Sequence, residues 1–247
     1  MQNKYLLSLT YGIRNQLSEK GQLIGRIFIY CMVVALFSQI FKAVHASPSQ
    51  FYYFRMTEAI VLSTFLVAFE IAFDMQKGQM VYSLLSPVNY MGYRLCYSLG
   101  ISVVRYTLLI LCYVVHNLFS GDNLQPNFFL GLVSGMIGIF LYTQTSLLLG
   151  VISFWVKDIK SLVYLNLTAT FCFGGLIVPL EDYSPMMRLF SFVTPYPWIL
   201  WWPAQQMVGH SQPFYYFAVC LFWGIILGIM NCFFYRKYIQ CLAREEG

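Results

Sequence analysis

The chain has 247 residues, of which 59% are hydrophobic, 19% aromatic and only 10% charged, with a formal net charge of +5. A soluble domain carries about 25% charged residues, so this chain lacks the polar side chains to cover a surface in water. Disordered and disulfide-stapled classes fail on the same composition. What remains is an all-α integral membrane protein whose spans and short loops take up nearly the whole length and leave no room for a soluble catalytic domain.

In chain order, residues 3–25, within an N-terminal stretch of 1–26, come first. Leu6, Leu9, Ile13 and Leu17 recur at three- and four-residue steps, with Arg14, Glu19 and Lys20 off that stripe. The spacing predicts an amphipathic helix in the membrane interface, either an elbow that touches a partner or a simple anchor. Its length and amphipathic character also argue against a cleaved signal peptide ending near Ala46.

A helix needs roughly 20 apolar residues to cross the hydrocarbon core. On that measure six spans are predicted: Ile27–Val44, Met56–Phe73, Leu95–Leu118, Phe128–Phe154, Ser161–Leu180 and Phe214–Phe234. Six spans put both termini on one side of the membrane. Eleven of the fifteen Lys and Arg residues fall on that side, against Lys42, Arg55 and Arg188 on the other and Arg105 within a span. The bias predicts cytoplasmic termini and makes the net charge a topology signal, with no support for nucleic-acid binding. The seven cysteines are scattered through apolar segments without Cys-x-x-Cys spacing and are expected to be reduced packing residues.

Between the second and third spans lies a first loop, residues 70–94, too long for a tight turn between helices. Val81, Leu84, Leu85 and Val88 form an apolar face at helical spacing, preceded by Lys77-Gly78 and stopped by Pro87. A short helix across the cytoplasmic mouth is expected, either to pass force from a soluble partner or to rest in the interface. Residues 179–213 hold six of the nine prolines and three of the five tryptophans. Short broken helices dipping into the outer leaflet, with tryptophans at headgroup level, reconcile that content with its apolar character.

Within the membrane, Arg105 needs a partner, because a mid-bilayer arginine costs about 2.5–3.5 kcal/mol even on insertion scales. Glu70 is the candidate, as part of a pathway or as an ion pair that sets the register of two spans. Asn166, Thr170 and Gly174 form a polar, small stripe on the fifth span. It serves close packing, or else a substrate path or subunit interface. Patterns for catalysis are lacking: His45, His116 and His210 are far apart, and neither a Gly-x-Ser-x-Gly elbow nor a phosphate-binding loop occurs. No catalytic residue, no metal site and no cofactor are expected in this chain.

The run Asp74-Met-Gln-Lys77-Gly78-Gln-Met-Val-Tyr-Ser-Leu84-Leu85-Ser-Pro87 resembles the first cytoplasmic loop of ABC-transporter permeases of the type-two exporter class. There a basic residue and a glycine precede a short coupling helix ending in Leu-Leu-x-Pro. The run from Gly174-Gly175 through Pro179-Leu180, Pro185 and Thr194-Pro195-Tyr-Pro-Trp198 to Pro203 is similar to the outer segment of the same class. The resemblance extends in order and spacing over nearly the whole chain and is greatest to small six-span bacterial export permeases of the inner membrane.

It implies one permease domain over 1–247 that pairs with a second copy or a homologous permease among membrane lipids. Separate ABC ATPase subunits, which hold the ATP and Mg, would dock on the coupling loop. Asp74, Lys77, Gly78, Leu84, Leu85 and Pro87 are then the coupling residues, and Asn166, Thr170 and Phe173 line the substrate path. An ATP-independent channel or secondary carrier is the alternative, although no internal repeat of the kind common in carriers is visible. A structural assembly subunit is another.

Overall fold

The computed structural model describes residues 2–245 other than 46, 65, 79–88, 121–124, 157, 177 and 210–211. Among them there are helices and no strands. In order these are α1 (Gln2–Ser18), α2 (Lys20–Ala43), α3 (Pro48–Ser63), α4 (Val67–Gln76), α5 (Tyr90–Ser120), α6 (Phe128–Val156), α7 (Ile159–Gly174), a 3-10 turn (Leu180–Asp182), α8 (Pro185–Phe192), α9 (Tyr196–Ile199), α10 (Trp201–Val208) and α11 (Pro213–Glu245). Five stretches are long and apolar enough to cross a membrane: Lys20–Ala43, Ser49–Gln76, Tyr90–Phe119, Phe128–Val156 and Pro213–Cys241. The class is therefore an all-α membrane protein. The central α6 is buried along most of its length, whereas α2 and α11 present apolar surface outward.

The fifth expected span, Ser161–Leu180, is shorter than predicted. α7 has 16 residues, about 24 Å at 1.5 Å per residue, and ends at Gly175, whose φ of 68° is in the left-handed region. Gly174 meets the Leu200 side chain, and Gly138 of α6 lies directly against the carbonyl of Ile199. α9 and α10 thus fill the layer at which α7 stops. As expected, prolines break the segment after it into short helices, with Pro185 and Pro197 in their first turns. Trp198 and Trp201 are packed in the core with Phe192, Trp202 and Tyr216. Broken backbone needs a protein cover, and these rings supply it. The Tyr216 hydroxyl, 2.8 Å from the Ser134 carbonyl and 3.2 Å from that of Trp198, ties the segment to α6.

α1 ends at Ser18, earlier than the expected 25, and residues 20–26 belong to α2. Its contact with the bundle is made by another face. Leu6 and Leu17 of the apolar stripe are exposed, and the face packed on α5 carries Ser8, Gly12 and Gln16. A Cβ at Gly12 would overlap the Tyr97 carbonyl, and one at Gly100 the Leu9 carbonyl. Two helix backbones approach that closely only through residues without side chains, and lipid accepts the leucines left outside.

The second span is interrupted. α3 ends at Thr64, in an extended conformation, and α4 starts at Val67. Backbone groups freed inside a bilayer must find partners, and here side chains from three other helices supply them. Arg26 donates to the Leu62 carbonyl, Arg105 to the Thr64 carbonyl at 3.4 Å, and Ala68 N–H donates to Ser146 Oγ at 3.2 Å. Arg105 also binds Gln16 Oε1 (2.8 Å) and Gln22 Oε1 (3.3 Å) on either side of the α1–α2 break. One guanidinium thus links two helix interruptions.

Arg55, assigned from sequence to an outer loop, is fully buried in α3. It donates to Asn117 Oδ1 (2.6 Å) and the Tyr113 carbonyl (2.9 Å), with its guanidinium 4.2 Å from the Tyr113 ring centroid. Arg55→Ala removes both bonds and is expected to cost about 2–3 kcal/mol. Arg55→Met, which keeps the length, should cost less. Thermal unfolding of the two variants in detergent checks the order.

The α6–α7 turn is set by Asp158, whose carboxylate accepts from Lys160 N (3.1 Å), Ser161 N (3.3 Å) and Ser161 Oγ. The Ser161 hydroxyl and backbone bonds hold its carboxyl below the ordinary aspartate value. A depressed pKa stabilises the fold above the unfolded-state value, and the contribution is lost as pH falls through the folded one. Asp158→Ala is therefore expected to fray the start of α7 at neutral pH. Asp158→Asn, which still accepts, should keep the cap and lose its acid dependence, as hydrogen exchange at neutral and acid pH would show.

Candidate functional site

The stem of the first loop is the most charged cluster among the described residues. Glu70 and Asp74, one helical turn apart, share a face of α4, and Tyr90 and Arg94 share one of α5, an arrangement that follows from the four-residue spacing of each pair. Arg94 Nη1 binds Glu70 Oε2 at 2.7 Å, and Nη2 binds Asp74 Oδ2. Arg94 Nε lies 3.2 Å from the Tyr90 hydroxyl, which itself donates to Asp74 Oδ2. Asp74 is buried, whereas the Glu70 side chain is one-third exposed.

The expected Arg105–Glu70 pair is corrected by this geometry. Glu70 is bonded to Arg94, and the Arg105 guanidinium caps the break in the second span. The reason is helix pitch: positions 94 and 105 lie about 16 Å apart along α5, and Glu70 is at the level of the nearer one.

Around the ion pairs, an apolar cluster of Val67, Ile71, Met91, Leu147, Val151 and Tyr238 joins α4, α5, α6 and α11. Tyr90 stacks on Tyr235 of α11, with centroids 6.4 Å apart. Lys77 Nζ sits 4.1 Å from the Phe73 ring centroid, and Gly78 turns the chain out of α4 with a φ of 67°. At the other end Asn89 Oδ1 accepts from Met91 N at 3.0 Å. Of the coupling residues expected from sequence, Asp74 is thus in the stem, and Lys77 and Gly78 are at its exit. Leu84, Leu85 and Pro87 lie outside the described residues, as does the expected coupling helix.

Tyr90 and Arg94 were missed from the sequence as site residues. The signal was present in two acidic and two hydrogen-bonding residues, each at i and i+4, flanking one loop. Chemically the stem holds no nucleophile–base pair. Its charge-assisted hydrogen bonds tie the end of α4 to the start of α5.

The fifth-span residues meet at a different place. Asn166 and Thr170 are buried, with Asn166 Oδ1 accepting from the Tyr196 hydroxyl at 3.0 Å and Thr170 Oγ1 donating to the Asn166 carbonyl. Phe173 stacks on Tyr196 at 6.5 Å. The stripe faces α9 of its own chain. No group of three or more His, Cys, Asp or Glu able to hold a metal occurs among the described residues, and all seven cysteines are free.

Five apolar stretches long enough to cross a membrane, an ion-paired loop stem and a proline-broken segment ahead of α11 make this a multi-pass helical membrane protein. The family described as ABC-2 family transporter protein matches residues 47–243. The chain belongs to that family, and its role is that of an ABC-transporter permease, a kind of subunit that is generally non-catalytic and associates with ABC ATPase components. A comparison with curated protein sequences gives no significant match.

Proposed function

We propose that this chain is the membrane half of an ATP-driven exporter, with a second permease completing the path and separate ATPase subunits binding ATP and Mg. The single observation that carries the reading is the locked stem, where Arg94 joins Glu70, Asp74 and Tyr90 at the base of the loop that resembles a coupling helix. A push on that loop has a rigid lever, and the chain's family supplies the kind of partner that pushes.

In this reading Lys77, Gly78, Leu84, Leu85 and Pro87 meet the ATPase, and α1 is the elbow helix. Asn166, Thr170 and Phe173 shape the path where α7 meets the outer segment. The excess of basic residues on the loop-stem side favours cytoplasmic termini in a bacterial inner membrane.

The test is purification of the full chain from its host in mild detergent. An ABC ATPase is expected to co-purify, and Leu84→Asp with Leu85→Asp should remove it while leaving the permease monodisperse. Transport that persists without ATP, in a preparation containing no ATPase, would overturn the reading.

A further inference from the structure

At the opposite end of the α3–α4 pair from the loop stem, a pocket of about 150 Å³ opens between the start of α3, the 3-10 turn and α10. A cavity of that order holds a molecule of about six heavy atoms. Its walls include Glu181, Asp182, Gln205, Ser49, Gln50 and Tyr53.

Two independent features point to a ligand. The first is unspent negative charge: Glu181 and Asp182 are adjacent on the turn, and neither carboxylate belongs to an ion pair among the described residues. The nearby Arg188 is engaged elsewhere, donating to the backbone carbonyls of Leu180 (2.9 Å) and Glu181. It therefore fixes the shape of the turn without neutralising the carboxylates. The second is Gln205, only 7% exposed, whose side-chain amide makes no hydrogen bond among the described residues. That amide lines the pocket, from which a bound molecule can reach it.

We propose that the pocket binds a primary ammonium group, carried by a soluble amine or by a lipid headgroup. The donor–acceptor inventory selects that chemistry. Two carboxylates, the Gln205 carbonyl oxygen and the Ser49 hydroxyl accept hydrogen bonds, as does the Tyr53 oxygen, whose proton goes to the Gly175 carbonyl. An ammonium brings three donors and a compensating charge. A quaternary ammonium brings no N–H and needs aromatic faces, of which Tyr53 offers the only one among the described lining residues. No lysine or arginine is among them to compete.

Isothermal titration of the full chain in detergent, without ATP or partner subunits, keeps this test separate from the exporter reading. 2-Aminoethanol is expected to bind saturably, choline at least tenfold more weakly, and glycerol not at all. Glu181→Gln with Asp182→Asn, both at exposed positions that leave folding intact, should weaken 2-aminoethanol at least tenfold. Gln205→Leu should weaken it severalfold.

Repeating the titration in phosphatidylglycerol nanodiscs with and without phosphatidylethanolamine identifies the source. A raised apparent Kd with phosphatidylethanolamine makes the headgroup the occupant, and an unchanged one makes it a soluble amine. Absence of saturable binding, glycerol binding as tightly as the amine, or an unaltered affinity in the double carboxylate variant would each overturn the proposal.

Discussion

Arg94→Ala is expected to be the most damaging single substitution in the membrane region. It leaves the buried Asp74 and the partly buried Glu70 without their cation and takes a partner from the Tyr90 hydroxyl. Removing one member of a buried ion pair costs about 3–5 kcal/mol. The one-third exposure of Glu70 places this case near the lower end, a fall of roughly 10 °C in the unfolding midpoint for a chain of this size.

The neighbours should rank by burial. Asp74→Asn costs less, because an amide oxygen still accepts from Tyr90, and Glu70→Gln costs least. Arg94→Met combined with Asp74→Asn and Glu70→Gln should recover most of the loss, since an apolar or neutral replacement of a whole buried network is close to neutral. Midpoints at a fixed scan rate in one detergent decide the matter. An Arg94→Ala midpoint equal to wild type would show that the stem does not hold the loop.

Adding a side chain between α1 and α5 is expected to have the second-largest effect. Gly12 faces the Tyr97 carbonyl and Gly100 the Leu9 carbonyl, backbone against backbone, so no rotamer change can relieve a new Cβ and the helices must separate. Overpacking of this kind costs about 1–3 kcal/mol per site. Gly12→Ala and Gly100→Ala together should cost less than their sum, because both open the same contact.

The readout is specific. Ser8 and Cys96 each precede by one turn the glycines of the contact, Gly12 and Gly100, so Ser8→Cys should cross-link to Cys96 when the other cysteines are replaced by serine. The cross-link yield should then fall sharply in Gly12→Val. Leu6→Ala and Leu17→Ala, on the exposed face, should leave it unchanged. Full cross-linking in Gly12→Val would mean that α1 does not dock through its glycine face.

Much of the bundle was legible along the chain because a bilayer imposes a length rule on apolar helices. Four of the six expected spans match single helices closely, and the prolines of residues 179–213 do break that segment into short helices. The α1–α5 contact was not legible in the same way. Apolarity tells a soluble helix which face to bury, but inside lipid an apolar face is as content outside as inside. The leucine stripe of α1 therefore pointed away from the contact, and Ser8, Gly12 and Gln16 made it.

The sequence by itself determined membrane residence, the approximate spans, the position of the loop and the family it resembles, all of them properties of local composition and spacing. Only the tertiary structure decided which charges meet. Arg94 rather than Arg105 holds Glu70, Arg105 and Arg26 serve a broken helix, and Arg55 is buried with Asn117. Ionic partners inside a membrane are chosen by depth and by the backbone groups left unsatisfied at that depth. Both depend on where helices break and cross, which no single segment of the chain contains.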